Sequence, residues 1–402
     1  MDKKKIAIIV TFMLIVILGL GITYAWLIQT INGDKIHSIR VGNFRFSLTE
    51  ENALTLESGE FMSDDKGMNQ DGFKFSVENI GVGYGSYSIY LDDDTIPTGT
   101  TRLDDKFIKY SLEINGNKYS PLELKDRKIY NGILNKSGKD NIILRVWLNK
   151  DVNGDIGGQA FKTKVRIEAN QEVSNEQATT ITYDYNYLVN DVFDEYYNTN
   201  IFNPCCETAI SLTKYETYYD DVGRVFFVTA NKNKANRGWN FSRNNVLAAN
   251  KTYTYSFEAK ANVDLTAIIG SEQEGTTGQI GNIKYSLTSE YKRYTRTFKA
   301  YTRTFEADGN KYSAFIFYDW TDTNDRTIEI RNLQIQEGGL SVAEIVKMKG
   351  TNLYTFPYLK RDNYQLLGWY TDPVNGDKID ENTIVPNTDT TYYAHWKYIG
   401  EK

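Results

Sequence analysis

Apolar and polar residues alternate strictly in the middle of the chain, with the period of a half-buried strand. Residues 251–260 show this most clearly, because every second residue is aromatic or alanine. We expect this segment to be a strand with one face in a core and the other face in solvent. The predicted inward residues are Tyr253, Tyr255, Phe257 and Ala259, and the predicted outward residues are Thr252, Thr254, Ser256 and Glu258.

The same reasoning predicts strands on both sides of this segment. Residues 161–169 alternate between an apolar and a charged face, and residues 142–148 form a mostly apolar run. In residues 327–336 the apolar phase slips by one position, which predicts a β-bulge near Arg331 and Asn332. Short strands separated by turn residues favour β-sandwiches.

The N-terminal segment is apolar in a different way. Three lysines at positions 3–5 precede residues 6–28, which carry no charge. An uncharged stretch of this length can cross a hydrocarbon core of ~30 Å as a helix, and its basic end is expected to stay in the cytoplasm. Residues 1–28 are therefore either a signal anchor or a signal peptide that is cut after Ala25, in the small-x-small sequence before Trp26.

Composition and charge narrow the class of protein. The chain has 402 residues, and its 30 tyrosines against 6 prolines favour pleated surfaces, so we predict an all-β protein with several domains. Its formal net charge of -6 argues against nucleic acid as a partner, because nucleic acids bind basic surfaces.

The sequence contains no assembled catalytic or metal-binding set of residues. Cys205 and Cys206 are adjacent, and a disulfide between neighbours would be strained because their Cα atoms are only ~3.8 Å apart. The state of these two thiols is left open, and the two histidines lie far apart in the sequence. Acidic runs at 92–94 and 220–221 are typical of solvated loops. We therefore predict no enzyme activity, no catalytic residues and no metal ligands.

The leader and the region after it resemble a family of surface proteins. Residues 19–25, Gly-Leu-Gly-Ile-Thr-Tyr-Ala, and the pattern of residues 79–81, 144–147 and 156–158 are similar to the camelysin/TasA group of Gram-positive bacteria. The resemblance implies a β-domain at residues 36–171 and a leader that is cut by a dedicated signal peptidase. It also implies a role in forming or decorating extracellular fibres.

Residues 205–338 resemble the carbohydrate-binding jelly-roll modules that are attached to glycoside hydrolases and phage tail proteins. The residues that carry the likeness are the strand at 251–260, the sequence Tyr-Lys-Arg-Tyr at 291–294 and the ending at 330–338. The resemblance implies a jelly-roll β-sandwich that binds a saccharide.

Two expectations about ligands follow from this second resemblance. Trp239 and Trp320 are the best candidates for stacking on sugar rings, and the alternative is that both pack in the core or at its rim. Modules of this kind often hold a structural calcium through an acidic residue of the last strand. The chain has Asn332 near that position, so we predict no cofactor but leave a structural calcium open.

The C-terminal segment carries the most specific resemblance. Residues 368–370, Gly-Trp-Tyr, and residues 393–396, Tyr-Ala-His-Trp, match the landmarks of the Listeria–Bacteroides repeat, also called the internalin B-repeat, of cell-surface proteins. The resemblance implies a small β-rich repeat domain at residues 345–397. We expect Trp369 and Trp396 to form its core, because so small a domain needs large aromatic side chains to bury enough area.

Residues 172–204 form a linker that contains one strand-like stretch, 179–186. This stretch resembles the first strand of the repeat, which is missing from the sequence just before residue 346. We consider two interpretations: the jelly roll is inserted into the repeat, or residues 179–186 are only a linker strand. Insertion needs a surface loop and a guest domain with close termini.

Together these patterns predict an all-β, multi-domain protein with an N-terminal hydrophobic helix, a β-sandwich, a jelly-roll β-sandwich and a small β-rich repeat domain. We expect a non-enzymatic bacterial protein for adhesion or glycan binding, secreted or on the extracellular face of the cell envelope. Its expected partners are extracellular or cell-wall glycans, surface proteins, the membrane through an uncleaved helix, or copies of itself. The alternative function is a structural component of an extracellular fibre or of the cell envelope.

The leader generates a first testable prediction. If it is a signal peptide, N-terminal sequencing of the extracellular protein should begin at Trp26. A membrane-bound product that still contains residues 1–5 would show a permanent anchor instead.

Overall fold

The computed structural model describes residues 37–41, 44–49, 55–57, 60–152, 154–191, 202–205, 212–230, 238–244, 251–261, 265–273, 280–299, 312–318 and 326–400. The predicted helix at residues 1–28, with Ala25 and Trp26, lies outside the described residues, as do Trp320 and Cys206. Within the described part of the chain, no helix is long and apolar enough to cross a membrane.

The chain divides into two compact units, and each contains three stretches of sequence. The first unit contains the described residues of Met1–Ile181 with Glu344–Tyr358 and Asp380–Thr390. The second unit contains those of Thr182–Ala343 with Leu359–Ile379 and Thr391–Lys402.

Two sheets form the N-terminal β-region. The elements are β1 His37–Val41, β2 Phe44–Thr49, β3 Thr55–Glu57, β4 Phe61–Met62, α1 Asp64–Met68, β5 Phe73–Asn79, β6 Tyr84–Asp93, β7 Thr101–Arg102, the 3-10 helix Asp105–Phe107, β8 Ile108–Ile114, β9 Asn117–Lys118, β10 Leu122–Glu123, β11 Lys128–Leu134, β12 Lys139–Asn149 and β13 Gln159–Val173. One sheet has the order β1–β2–β5–β12–β8–β10, with β4 beside β12 and β9 beside β8. The other has the order β11–β6–β13–β3, with β7 beside β13.

The two sheets share one apolar core. It includes Phe75 and Leu144 from the first sheet and Ile89 and Phe161 from the second. The region is therefore a β-sandwich, in which the inward residues of both sheets exclude water together. The strands predicted from alternation and from the apolar run are confirmed as β13 and β12.

The rest of the chain is also built from strands. The elements are the 3-10 helix Asn175–Gln177, β14 Ala178–Asp184, β15 Phe202–Cys205, β16 Leu212–Tyr219, β17 Arg224–Ala230, β18 Gly238–Asn244, β19 Thr252–Ala261, β20 Leu265–Gln273, β21 Ile280–Tyr285, β22 Lys292–Lys299, β23 Tyr312–Tyr318, β24 Arg326–Glu337, β25 Val342–Met348, β26 Tyr364–Tyr370, β27 Lys378–Ile379 and β28 Thr390–Tyr398. The predicted all-β, multi-domain class is confirmed.

Strands β15 to β24 form the second sandwich. One sheet has the order β15–β18–β23–β20–β21, and the other has the order β16–β17–β24–β19–β22. Consecutive strands from β17 to β20 alternate between the two sheets, as do β22, β23 and β24. This alternation is the arrangement of a jelly roll.

Strand β19 has the inward face that its sequence predicts. All four of the predicted inward residues are buried, and none is more than 2% exposed. The prediction for the other face is wrong, because Thr254, Ser256 and Glu258 are buried as well; of that set, Thr252 is exposed.

Polar partners from elsewhere in the second unit cover this other face of β19. Arg293 donates a hydrogen bond from Nε to Ser256 Oγ at 2.9 Å, and it forms an ion pair with Asp184 at 2.8 Å. Glu258 forms an ion pair with Arg331 at 2.8 Å. Polar side chains can be buried when each one has a partner, so the alternation of polarity did not reveal which face meets water.

Strand β24 carries the predicted bulge. Ser256 lies opposite Gln334 and Glu258 lies opposite Arg331, so β24 has one more residue than β19 between these pairs. Asn332 lies in the bulge with a φ of 51°. The predicted slip of apolar phase is therefore confirmed.

The remaining sheet has the order β25–β14–β28–β26–β27. Trp369 and Trp396, which the sequence predicts as core residues, are 3% and 5% exposed, and this prediction is confirmed. The ring of Tyr183 lies edge-on to Trp369, with 4.8 Å between centroids. Trp396 donates from Nε1 to the main-chain oxygen of Tyr185 at 2.8 Å.

One lysine of the first unit is buried. Lys347 of β25 is 1% exposed, and its ammonium nitrogen contacts the main-chain oxygen of Asn131 at 3.3 Å and Thr355 Oγ1 at 3.4 Å. It lies 4.5 Å from the centroid of the Tyr130 ring. Burial lowers the pKa of Lys347 to about 7, and the charge of Asp140 acts in the opposite direction.

This burial predicts a pH-dependent stability. Between pH 7 and the ordinary lysine pKa of 10.5, the unfolded chain binds a proton that folded Lys347 has released. The contribution of Lys347 to the free energy of unfolding should therefore rise with pH in this window, by up to ~1.4 kcal/mol per pH unit. Urea denaturation at pH 7, 8 and 9 should show this slope in the parent and a smaller one in Lys347→Met.

Lys349→Met is the matched control for this experiment. Lys349 lies two positions further along, and its amine donates to the main-chain oxygen of Glu176 at the surface. The slope should be unchanged in this variant. Equal slopes in the parent and in Lys347→Met would show that Lys347 does not titrate in this way.

Candidate functional site

The structure gives a limited account of the residues that the sequence predicts as a binding site. Trp239 lies in β18, where its Cα is opposite that of Pro204 in β15. Trp320 lies outside the described residues. Cys205 ends β15 opposite Gly238.

A polar network lies on the sheet that contains β19 and β24. Arg331 donates from Nε to Glu258 at 2.8 Å and from a terminal nitrogen to Asp220 at 2.6 Å. Asn332 donates to the second carboxylate oxygen of Glu258 at 2.8 Å. Burial alone would lower the pKa of Arg331, but the charge of Glu258 and the bond to Asp220 outweigh it and raise the pKa.

A third carboxylate, Glu329, continues this network. It accepts hydrogen bonds from the hydroxyls of Tyr218 and Tyr291, each at 2.8 Å, and pairs with Lys260 at 3.1 Å. Burial would raise the pKa of Glu329, but these three donors lower it. The guanidinium of Arg331 lies 3.8 Å from the centroid of the Tyr291 ring, so this ring packs against the charged network.

The network bears on the structural calcium that the sequence left open. Arg331 and Lys260 supply the positive charge that Glu258, Asp220 and Glu329 need. Within the described parts of the chain, no group of three or more His, Cys, Asp or Glu side chains could hold a metal ion. Near Asn332, the guanidinium of Arg331 lies between the carboxylates of Glu258 and Asp220. The structural calcium stays an open prediction.

A partly exposed group of aromatic rings lies beside the network. Tyr219, at the end of β16, stacks on Tyr398 of β28 with 4.8 Å between centroids and 17° between planes. Tyr364 of β26 meets Tyr398 edge-on at 5.2 Å. Tyr219 is 36% exposed, and Tyr364 and Tyr398 are half-buried. We call Tyr219, Tyr364 and Tyr398 the tyrosine cluster.

The turn between β16 and β17 holds the tyrosine cluster in place. Asp220 Oδ1 accepts from the main-chain nitrogens of Val222 and Gly223, both at 2.8 Å. The main-chain nitrogen of Tyr398 donates to the oxygen of Asp221 at 2.8 Å. These bonds tie the turn to β28, so Tyr219 and Tyr398 are fixed against each other through the main chain.

Gly223 permits this close approach. Its φ is 149°, and a Cβ atom at this position would lie 2.7 Å from the hydroxyl of Tyr364. Any other residue would push Tyr364 away from the turn.

Sequence reasoning missed the tyrosine cluster. Its members lie on three strands that are distant in the sequence, so no local spacing connects them. The available signal was the abundance of tyrosine, 30 residues in the chain, which does not identify any single position.

Comparison with known proteins gives little further information. No family model matches the chain, and no curated protein matches it. The resemblances of residues 1–171 and 345–397 to named families therefore stay predictions.

Several solved structures align with the chain at low similarity. The N-terminal cellulose-binding domain of β-1,4-glucanase C from Cellulomonas fimi is 18% identical over 35% of this chain and 91% of its own, with a TM-score of 0.26. The CBM22-1–CBM22-2 tandem domain of Xyn10C from Paenibacillus barcinonensis is 13% identical over 77% and 100%, with a TM-score of 0.27. A cyclase from Fischerella sp. TAU is 11% identical over 41% and 99%, with a TM-score of 0.27. Values this low do not establish a shared fold or a shared activity.

The polar network generates a prediction about stability. Arg331→Met should leave Glu258, 3% exposed, without its charged partner. Removing one partner of a buried ion pair costs ~3–5 kcal/mol, so the melting temperature of the second unit should fall clearly. Differential scanning calorimetry measures this change.

Lys251→Met is the matched control, because Lys251 pairs with Glu337 at 2.7 Å and both side chains are about half exposed, 49% and 53%. Exposed pairs contribute little, so this variant should melt like the parent. Equal melting of both variants would show that the buried pair is not needed.

Proposed function

We propose that the protein binds glycans outside the cell, either at the cell surface or after secretion, and catalyses no reaction. The observation that carries this proposal is the tyrosine cluster, a partly exposed group of aromatic rings held by main-chain hydrogen bonds. The C–H faces of sugar rings are apolar, so they stack on aromatic faces. A rigid surface binds with a smaller entropic cost than a mobile one.

Polar groups for sugar hydroxyls lie next to the tyrosine cluster. Asn363 precedes Tyr364, is exposed, and accepts a main-chain hydrogen bond from Ile399 at 2.8 Å. Asp362 is also exposed. Aromatic faces combined with a few amides and carboxylates are what a saccharide site requires, because every hydroxyl that is bound must exchange its water for another partner.

The ion pairing of the acidic runs supports a protein without catalytic carboxylates. In the first unit Asp92 pairs with Arg166 at 2.6 Å, and Asp94 pairs with Lys162 at 3.4 Å. In the second unit Asp220 pairs with Arg331 at 2.6 Å. A nearby positive charge favours the ionised form of a carboxylate, so such pairing disfavours the protonated form that a general acid needs.

Trp239 and Trp320 remain a second proposed surface for the same function. β18, which contains Trp239, belongs to the sheet of the jelly roll that does not carry Tyr219. Variants at Trp239 and at the tyrosine cluster therefore test different surfaces.

A glycan array with the purified protein tests the proposed function directly. We expect saturable binding to at least one saccharide class. An array without any binding, together with filaments in the electron microscope, would support the alternative of a fibre or envelope component.

Substitution identifies the surface that binds. Tyr219→Ala should weaken binding of the best array ligand by about tenfold or more, by analogy with the stacking of bases on aromatic side chains. Isothermal titration calorimetry measures the affinity, and a thermal melt checks the fold. Phe61→Ala is the control, because it removes an aromatic ring of similar exposure, 38%, from the first unit. Loss of binding in Trp239→Ala with normal binding in Tyr219→Ala would move the site to the other sheet.

A further inference from the structure

The side chain of Arg361 extends the row of aromatic rings in the tyrosine cluster. Its guanidinium carbon lies 3.7 Å from the centroid of the Tyr364 ring and 5.2 Å from that of Tyr187. The main-chain nitrogen of Tyr364 donates to the oxygen of Arg361 at 3.1 Å, so both residues belong to one tight turn. Two tyrosine rings and a turn therefore fix where this charge lies.

Arg361 differs from Arg293 and Arg331 in its partners. Arg293 and Arg331 each pair with a buried or half-buried carboxylate. Among the residues that the structure describes, no carboxylate lies within 4.0 Å of the Arg361 guanidinium, and its neighbour Asp362 is exposed. A guanidinium carries five donors in a planar fork that matches a carboxylate, so Arg361 has donors to spare for an anion.

The position of this charge decides which ligand it would suit. Arg361 contacts Tyr364, Tyr364 meets Tyr398 edge-on at 5.2 Å, and Tyr398 stacks on Tyr219 at 4.8 Å. A saccharide that stacks on the exposed Tyr219 and continues along this row reaches a fixed positive charge. A neutral sugar could accept only ordinary hydrogen bonds from this guanidinium, whereas a sugar acid would form a stronger, charge-assisted, two-pronged hydrogen bond.

We infer that the tyrosine cluster and Arg361 together bind an acidic saccharide, one whose sugar rings carry carboxylates, in preference to a neutral one. The inference rests on the proposed function, because it names the ligand class of the same surface. The formal net charge of the chain is -6, so the preference comes from this one positioned guanidinium and not from a general attraction of polyanions.

Matched ligands test this inference. The purified protein is titrated with oligogalacturonate, alginate and hyaluronan oligosaccharides, and with the methyl esters of the same chains, which keep the sugar and remove the charge. We expect at least one free acid to bind about tenfold more tightly than its ester, which is the size of effect expected for a hydrogen bond to a charged group.

Variants assign the preference to Arg361. R361Q should bind acid and ester equally, and R361K should keep part of the preference because it retains the charge without the planar fork. Lys397→Gln is the control: it removes an exposed positive charge from β28 and should keep the full preference.

The outcomes separate this inference from the proposed function. If the parent binds saccharides but binds each acid no better than its ester, the inference is wrong and the proposed function stands. A preference that survives in R361Q also overturns the inference. If the parent binds no acidic chain, no ester and no sugar on the array, the inference and the proposed function both fail.

Discussion

The ion pair between Arg331 and Glu258 is the interaction on which the second unit depends. A carboxylate that is 3% exposed would be strongly destabilising without a charged partner, since burial removes it from water. With Arg331 at 2.8 Å and Asn332 on its other oxygen, Glu258 can lie beneath other polypeptide. Strand β19 is therefore buried on both faces, and only one of its faces is apolar.

Asp220 connects this buried pair to the exposed rings. One of its carboxylate oxygens accepts from Arg331, and the other accepts from the main-chain nitrogens of Val222 and Gly223. The guanidinium of Arg331, which neutralises Glu258, therefore also stabilises the turn that positions Tyr219. The tyrosine cluster is a surface feature, but the charges that hold it lie inside the fold.

Local patterns in the sequence predicted the elements and much of the packing. The alternation with a period of two correctly predicted the inward face of β19. The slip of apolar phase predicted the bulge at Asn332. The need of a small domain for large aromatic side chains predicted that Trp369 and Trp396 are buried. Strand β14 lies beside β28 in the order β25–β14–β28–β26–β27, and Tyr183 and Tyr185 contact Trp369 and Trp396. The assignment of residues 179–186 to the first strand of a repeat stays a prediction. The insertion of the jelly roll remains a proposal.

The features that local patterns did not predict depend on contacts between residues that are far apart in the sequence. The alternation of its strand predicts that Glu258 faces solvent. Its partner Arg331 lies 73 positions later, so the sequence around Glu258 does not indicate that the side chain is buried. A lysine is expected at the surface, but Lys347 is buried against the main chain of Asn131 in β11 and the ring of Tyr130. The tyrosine cluster has no local signature at all, because three strands contribute one ring each.

The hydrogen bond from Trp396 to the oxygen of Tyr185 joins residues 211 positions apart. Contacts of such separation form late in folding, because a long loop must be closed before they stabilise anything. Until residues 391–398 arrive, the indole of Trp396 is not there to contact Tyr185 and Tyr187. A chain that is made or exported from its N-terminus onward therefore carries these aromatic residues uncovered while the whole jelly roll is still being added. Its period of greatest exposure to aggregation lasts until the final strand has docked.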